Sequence, residues 1–344
     1  MSPHPIAETI EADGCRIVLR RVEGPEATEL FFGGQPLDEA ADAVRQADAI
    51  YRAIQAVLEA EGASFESVVG ETLYLRNPRA DLESVRAARD RVLARRLGAS
   101  PRRATSEIEQ PPLCEHACLE VAVQAVLPNG PRLRVETFEP RTVCGCAECG
   151  RSHGLRVQAG EEFRLHAGAL YGPGGDAYEQ TLAMFGVAED LLKQAGMEFS
   201  DVVRTWIHLR EMERDYGDLN RARRAFFEAR GIDPAPASTG IGGGPVAPEH
   251  DLSLGFYAVK AGQPLVRSVM TAPTLNEAML YGADFVRGMR IAEANKTALH
   301  VSGTASVDEA GRTAHPGDFE AQVDRMLVNV AALLEGQGAA FGDV

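Results

Sequence analysis

Three stretches of this chain share one pattern, and that repetition constrains the fold more than any other feature. They are Gly62–Val68 (GASFESV), Gly196–Val202 (GMEFSDV) and Gly338–Val344 (GAAFGDV). Recurrence of this kind marks one supersecondary unit made several times. Each stretch follows a run with helical periodicity. Val44, Ala47, Ile50, Tyr51, Ile54, Val57 and Leu58 precede the first; Tyr178, Leu182, Phe185 and Leu192 the second; Val323, Met326, Leu327, Val330, Leu333 and Leu334 the third. Steps of three and four residues line one helical face with apolar groups. The glycine should then close the helix, because it enters the left-handed region without steric cost.

After the first two landmarks a strand is expected (71–75 and 204–209), then a second helix (about 82–97 and 216–230). A Pro/Ser/Thr-rich turn and a last strand (117–126 and 252–259) complete each unit. With a hairpin in front, this pattern predicts an α+β module, a mixed sheet with two helices on one face. The expected division is a lead-in strand (1–28), module one (29–127), a Cys-rich linker (128–162), module two (163–260), a linker (261–296) and the first half of module three (297–344). By the repeat, roughly 55–60 residues that would complete module three are expected outside this chain, which would leave its helix without a full sheet to cover.

A formal charge of −15 opposes binding to a phosphate backbone. Arg214, Arg221, Arg223, Arg224 and Arg230 sit on an amphipathic run opposite Leu219, Ala222 and Phe226, as a solvated helix face would, so no nucleic-acid partner is expected. No window approaches eighteen uninterrupted apolar residues, and the first twelve lack the basic start and apolar run of a signal peptide; a cytoplasmic protein with no membrane contact is expected. The six cysteines then read as reduced thiols or metal ligands rather than a disulfide framework.

A helix, then Gly-x-x-Phe-x-Asp-Val, then the strand Arg204–Leu209, then a helix ending in Phe226-Phe227, resembles the RidA/YjgF superfamily over about residues 29–126, 163–260 and 297–344. The resemblance implies a chorismate-mutase-like fold, normally trimeric with ligand clefts between subunits. Three units in one chain would then form a pseudo-trimer, or self-associate. The imine deaminases of this superfamily hold the substrate carboxylate with an Arg before the last strand and carry a Glu on that strand. Here Gln110 stands at or near the Arg, with Ala122 and Gly255 at the acidic position. Neutral groups cannot make a bidentate clamp on a carboxylate, which disfavours 2-imino acid deamination.

Residues 163–344 are similar to chorismatases in Arg204-Thr205-Trp206, Pro236–Gly242, Val301–Ser306 and His315–Asp318. Those enzymes hydrolyse the enolpyruvyl group of chorismate or rearrange it to a hydroxybenzoate. Their acid/base Glu lies on a final strand that would fall past Val344. The resemblance implies a site between modules two and three for a small carboxylated metabolite; a non-catalytic ligand binder or scaffold is the alternative.

Alternation along the strand puts Arg204 on one side with Trp206 and His208, suited to a ring-shaped anion or to an interface. Thr239, Gly240 and Gly242 belong to a Gly-rich turn whose amides could cradle a carboxylate or simply need positive backbone angles. Ser302 and Thr304 could bind substrate or cap a turn. Cys144, Cys146, Cys149 and His153 lie within ten residues of one another and match the donor set of a tetrahedral Cys3His zinc site, with Cys114, His116 and Cys118 either spare ligands or a chance cluster. A structural zinc and a set of reduced thiols are the two readings of this cluster, and no cofactor for catalysis is expected.

Overall fold

The computed structural model describes residues 7–38, 40–97, 102–141, 144–262, 265–278, 282, 284–292 and 296–344. Positions 1–6 of the expected lead-in strand and parts of the expected linkers lie outside them. The first unit runs β1 (Glu8–Ala12), β2 (Cys15–Glu23), β3 (Ala27–Pro36), α1 (Ala43–Ala60), β4 (Val68–Leu75), α2 (Pro78–Leu97), β5 (Ala104–Glu109) and β6 (Leu119–Pro128). The second runs β7 (Leu133–Phe138), β8 (Gly154–Ala159), β9 (Glu162–Leu170), α3 (Ala177–Gln194), β10 (Val202–Leu209), α4 (Met212–Arg230), β11 (Ala237–Gly242), β12 (Gly244–Pro245) and β13 (Leu252–Ala261). The third consists of β14 (Val266–Val269), β15 (Gly288–Ala292), β16 (Thr297–Val301) and α5 (Phe319–Glu335).

The first sheet is ordered β1-β2-β3-β6-β4-β5 and the second β7-β8-β9-β13-β10-β11, one topology in both; β12 crosses over to pair with β5. Even an irregularity recurs, since the register slips between Val68 and Gly70 on β4 and between Val202 and Arg204 on β10. Strands β14, β15 and β16 form a separate antiparallel sheet.

The helix ends follow local chemistry. Asp42, Asp176 and Asp318 cap α1, α3 and α5 by accepting the amides of Arg45, Glu179 and Ala321. The same helices stop at Gly62, Gly196 and Gly338, with φ of 72°, 72° and 75°. There Ala63, Met197 and Ala339 donate back to the carbonyls of Leu58, Leu192 and Leu334. Helices α1 and α2 cover one face of the first sheet through Tyr51, Ile54 and Leu93. Helices α3 and α4 cover the second with Phe185, Phe226 and Phe227, packed with Phe199. Each such side chain, fully buried, is worth about 1.5–3 kcal/mol.

The opposite faces of the sheets meet one another. Val69, Ala104 and Val126 pack against Leu155 and Val157 of β8, and Val203, Ala237 and Val259 pack in the same way against Met289 and Ile291 of β15. These are the first and second junctions. Backbones approach closely at both: a Cβ on Gly168 would stand 2.6 Å from the Thr105 carbonyl oxygen, and one on Gly303 would stand 2.7 Å from Thr239 Cγ2. Glu29, Arg164 and Lys296, one from each unit, form a single buried ionic contact where the three units converge.

Two expectations need correction. The stretches read as linkers, 128–162 and 261–296, carry strands β7, β8, β14 and β15. Half of these strands are mostly exposed, as in β7 and β14, so they lack the apolar alternation that announces a strand. The Gly-rich stretch 239–242 is not a turn. It is the strand β11, parallel to β10 from Arg204↔Ala237 to Leu209↔Gly242. Successive amides of a strand point to opposite edges, so they do not converge into an anion cradle, and neither Gly240 nor Gly242 has positive φ.

Candidate functional site

At the second junction, the strand β10 turns Arg204, Trp206 and His208 away from the helices. The Arg204 guanidinium carbon lies 4.9 Å from the Trp206 ring centre. Arg204 is buried, whereas Trp206 is 37% exposed and forms a window onto the junction. The guanidinium donates to the Thr205 carbonyl at 3.1 Å and to the Thr239 hydroxyl. No ion pair of Arg204 with a carboxylate occurs among the described residues, and burial pushes its pKa down to about 10. Next to it, His300 of β16 faces Tyr257 of β13 at 5.4 Å between ring centres, and Tyr257 faces His166 of β9 at 4.8 Å. Burial pushes His166, His208 and His300 down to about 4, and Nε2 of both His166 and His300 finds no hydrogen-bond partner among the described residues. This interior sets neutral imidazoles between the Arg204 guanidinium and the ionic contact of Glu29, Arg164 and Lys296.

The first junction has the opposite character. A cavity of about 200 Å³ is lined by Arg89, Arg102, Arg103 and Arg151, with Glu107 and Glu148 among them. Arg103 pairs with Glu71 at 2.7 Å, and Tyr51 donates to the same carboxylate at 2.8 Å. Arg86 bridges Glu107 and, at 2.6 Å, Glu148. Burial alone would raise the Glu71 carboxyl, but Arg103 and Arg89 outweigh it and hold the pKa below the ordinary value. The buried cations here are already matched by carboxylates of the chain.

A third cluster lies in the long β7–β8 connection. The thiols of Cys144, Cys146 and Cys149 converge with the imidazole of His250, all four donor atoms lying within 4.8 Å of one another. This Cys3His set could hold a metal. His250 replaces the expected His153, whose Nδ1 lies 2.7 Å from the Arg151 carbonyl. Sequence proximity favoured His153, but the chain turns it out of the loop, while folding of the second unit delivers His250 from the β12–β13 connection. Cys114 and Cys118 are free thiols outside the cluster.

Of the other singled-out residues, Thr239 reaches Arg204, but Ser302 is committed to the joint itself. Its hydroxyl accepts from the Ser238 amide at 2.9 Å and donates to the Val286 carbonyl. Thr304 bonds the Ser302 carbonyl at 3.1 Å. Gln110 follows β5; the arginine flanking that strand is Arg103, at its start. Arg223, expected on a solvated face, is buried and lies over Phe285 at 5.3 Å, whereas Arg214, Arg221, Arg224 and Arg230 pair with carboxylates at the surface. Sequence reasoning missed His250, His300 and Arg103. Only Arg103 left a signal, as a basic residue just ahead of an alternating stretch.

No described helix is long and apolar enough to cross a membrane. No family model matches the sequence, and no curated protein does. Solved structures do. A chorismatase crystal structure aligns over 78% of this chain and 72% of its own, at 18% identity and a TM-score of 0.54. A YjgF family member from Neisseria meningitidis aligns over 38% of this chain and 99% of its own, at 23% identity and a TM-score of 0.29. A YjgF/YER057c/UK114 family member from Mycobacterium tuberculosis covers 30% of this chain and 82% of its own, at 24% identity and a TM-score of 0.26. The fold is α+β and similar to that of a chorismatase.

Proposed function

We propose that the second junction binds a small, ring-bearing carboxylate and removes an enolpyruvyl-type group from it by hydrolysis or elimination. The observation that carries this reading is Arg204, a buried guanidinium with no carboxylate partner among the described residues. An unpaired buried charge is costly, and a ligand anion would relieve that cost. Arg204 would clamp the carboxylate, and the Trp206 face would stack on the ring. The chemical class rests on the likeness to a chorismatase. A structural zinc at the thiol cluster would take no part, because His250 adjoins the β13 end that pairs with Leu209, at the far end of β10 from Arg204.

One observation favours a second reading, ligand binding without turnover. No carboxylic acid that could deliver a proton adjoins Arg204 among the described residues, and His300, held near 4, is neutral at physiological pH. Incubation with chorismate, following pyruvate release alongside calorimetric binding, separates the two. Arg204→Ala should weaken binding about 10–100-fold, the worth of a charged hydrogen bond, while leaving Tm equal or higher, since it removes an unpaired buried charge. Binding without pyruvate would select the second reading. If wild-type protein shows neither, both fail.

A further inference from the structure

We propose that Cys144, Cys146, Cys149 and His250 form a closed, tetrahedral zinc site that clamps the first unit to the second. A zinc ion with bonds of about 2.3 Å to sulfur and 2.0–2.1 Å to nitrogen sets its ligands about 3.8 Å apart between sulfurs and about 3.5 Å apart between sulfur and nitrogen. The three thiols lie 3.3, 3.5 and 3.9 Å from His250 Nε2, which brackets the second figure. The Cys144 and Cys149 sulfurs lie 2.8 Å apart, so this pair would open by about an ångström around the ion.

The surroundings prepare the donors. His250 Nδ1 sits 3.1 Å from the Gly172 carbonyl, which fixes the proton on Nδ1 and leaves the Nε2 lone pair facing the sulfurs. The imidazole stacks on Tyr171 at 5.0 Å between ring centres. Backbone amides of Cys146 and Cys149 point at the sulfurs of Cys144 and Cys146, at 3.4 and 3.3 Å, and would support thiolates. Three sulfurs and an imidazole suit zinc and fill all four of its positions, so the site is structural.

Its place in the fold gives it a task. The cysteine loop belongs to the second unit, and Glu148, between two of the ligands, reaches into the first unit to pair with buried Arg86 at 2.6 Å. Both carboxylates that Arg86 holds, Glu148 and Glu107, line the arginine-rich cavity. Zinc would therefore hold Glu148 where Arg86 needs it, and join the β7–β8 loop, the β12–β13 connection and the end of β9 at the first junction.

The whole chain, purified under reducing conditions without added metal, should carry about one equivalent of zinc by elemental analysis. His153→Ala should keep that zinc and His250→Ala should lose it. Should His250→Ala fail to fold, His250→Cys provides the check, because a fourth thiolate restores a tetrahedral site. Cobalt exchanged into the wild type should show the intense visible bands of tetrahedral thiolate coordination. Chelation should speed amide exchange in residues 144–153 and 247–252 and in the α2 turn carrying Arg86. Wild-type protein without stoichiometric zinc, a Cys144–Cys149 disulfide, iron in place of zinc, or zinc lost from His153→Ala but kept in His250→Ala would each overturn the site. Unchanged exchange around Arg86 after zinc removal would overturn the clamp.

Discussion

Three histidines decide how this protein meets acid. His166, His208 and His300 are pushed down to about 4 by burial, so the folded chain keeps them neutral. The unfolded chain, with ordinary values near 6.5, takes up protons first as the pH falls. Their contribution to stability is therefore complete above about pH 6.5 and is lost toward pH 4, at about 2 kcal/mol for each residue between pH 7 and pH 5. Glu29 adds to acid sensitivity only at lower pH. Burial would raise its carboxyl, but Arg164 and Lys296 hold it below the ordinary carboxylate value. Urea midpoints at pH 7 and pH 5 test this, with a marked fall expected; coincident curves would contradict the buried, neutral imidazoles. At this scale the sequence was partly legible. Alternation alone placed Arg204, Trp206 and His208 on one side of a strand. It could not show that burial leaves the guanidinium without a carboxylate among the described residues, because that depends on every element packed around it.

Single elements show where local pattern is enough and where it is not. Helices α1, α3 and α5 were legible, cap to glycine, because Asp at the start and a left-handed residue at the end are local chemistry. Strand β11 was not. Its glycines suggested a turn, yet pairing with β10 on one edge and a crossing at Ser238 to Ser302 on the other make it a strand. Helix α5 also differs from its counterparts. On α3 nine residues are buried, on α5 only Asn329, Leu333 and Leu334, while Leu327 and Val328 are exposed. With so little apolar cover, α5 should exchange its amides faster than α3, since local opening follows local burial. Hydrogen exchange by mass spectrometry reads both helices in one experiment, and equal protection of the two would show that α5 is stabilised by contacts other than these.

For the molecule as a whole, the two junctions repeat one geometry. Val69, Ala104 and Val126 correspond to Val203, Ala237 and Val259, and Gly168 corresponds to Gly303. Contacts of this head-to-tail kind close into rings, and Glu29, Arg164 and Lys296 already bring all three units to one point. We therefore expect the chain to form its pseudo-trimer internally and to sediment as a monomer or weakly paired dimer; a stable homotrimer of chains would count against that arrangement. The sequence by itself determined the unit: helix periodicity, caps and glycine stops act over a few residues, so they can be read one after another. Only the tertiary structure decided the sites. His250 lies about a hundred positions from the thiols it joins, Glu148 finds its arginine on another unit, and Arg204 is buried without a carboxylate partner among the described residues. Those are facts of three-dimensional proximity and lost solvent, which no local pattern encodes.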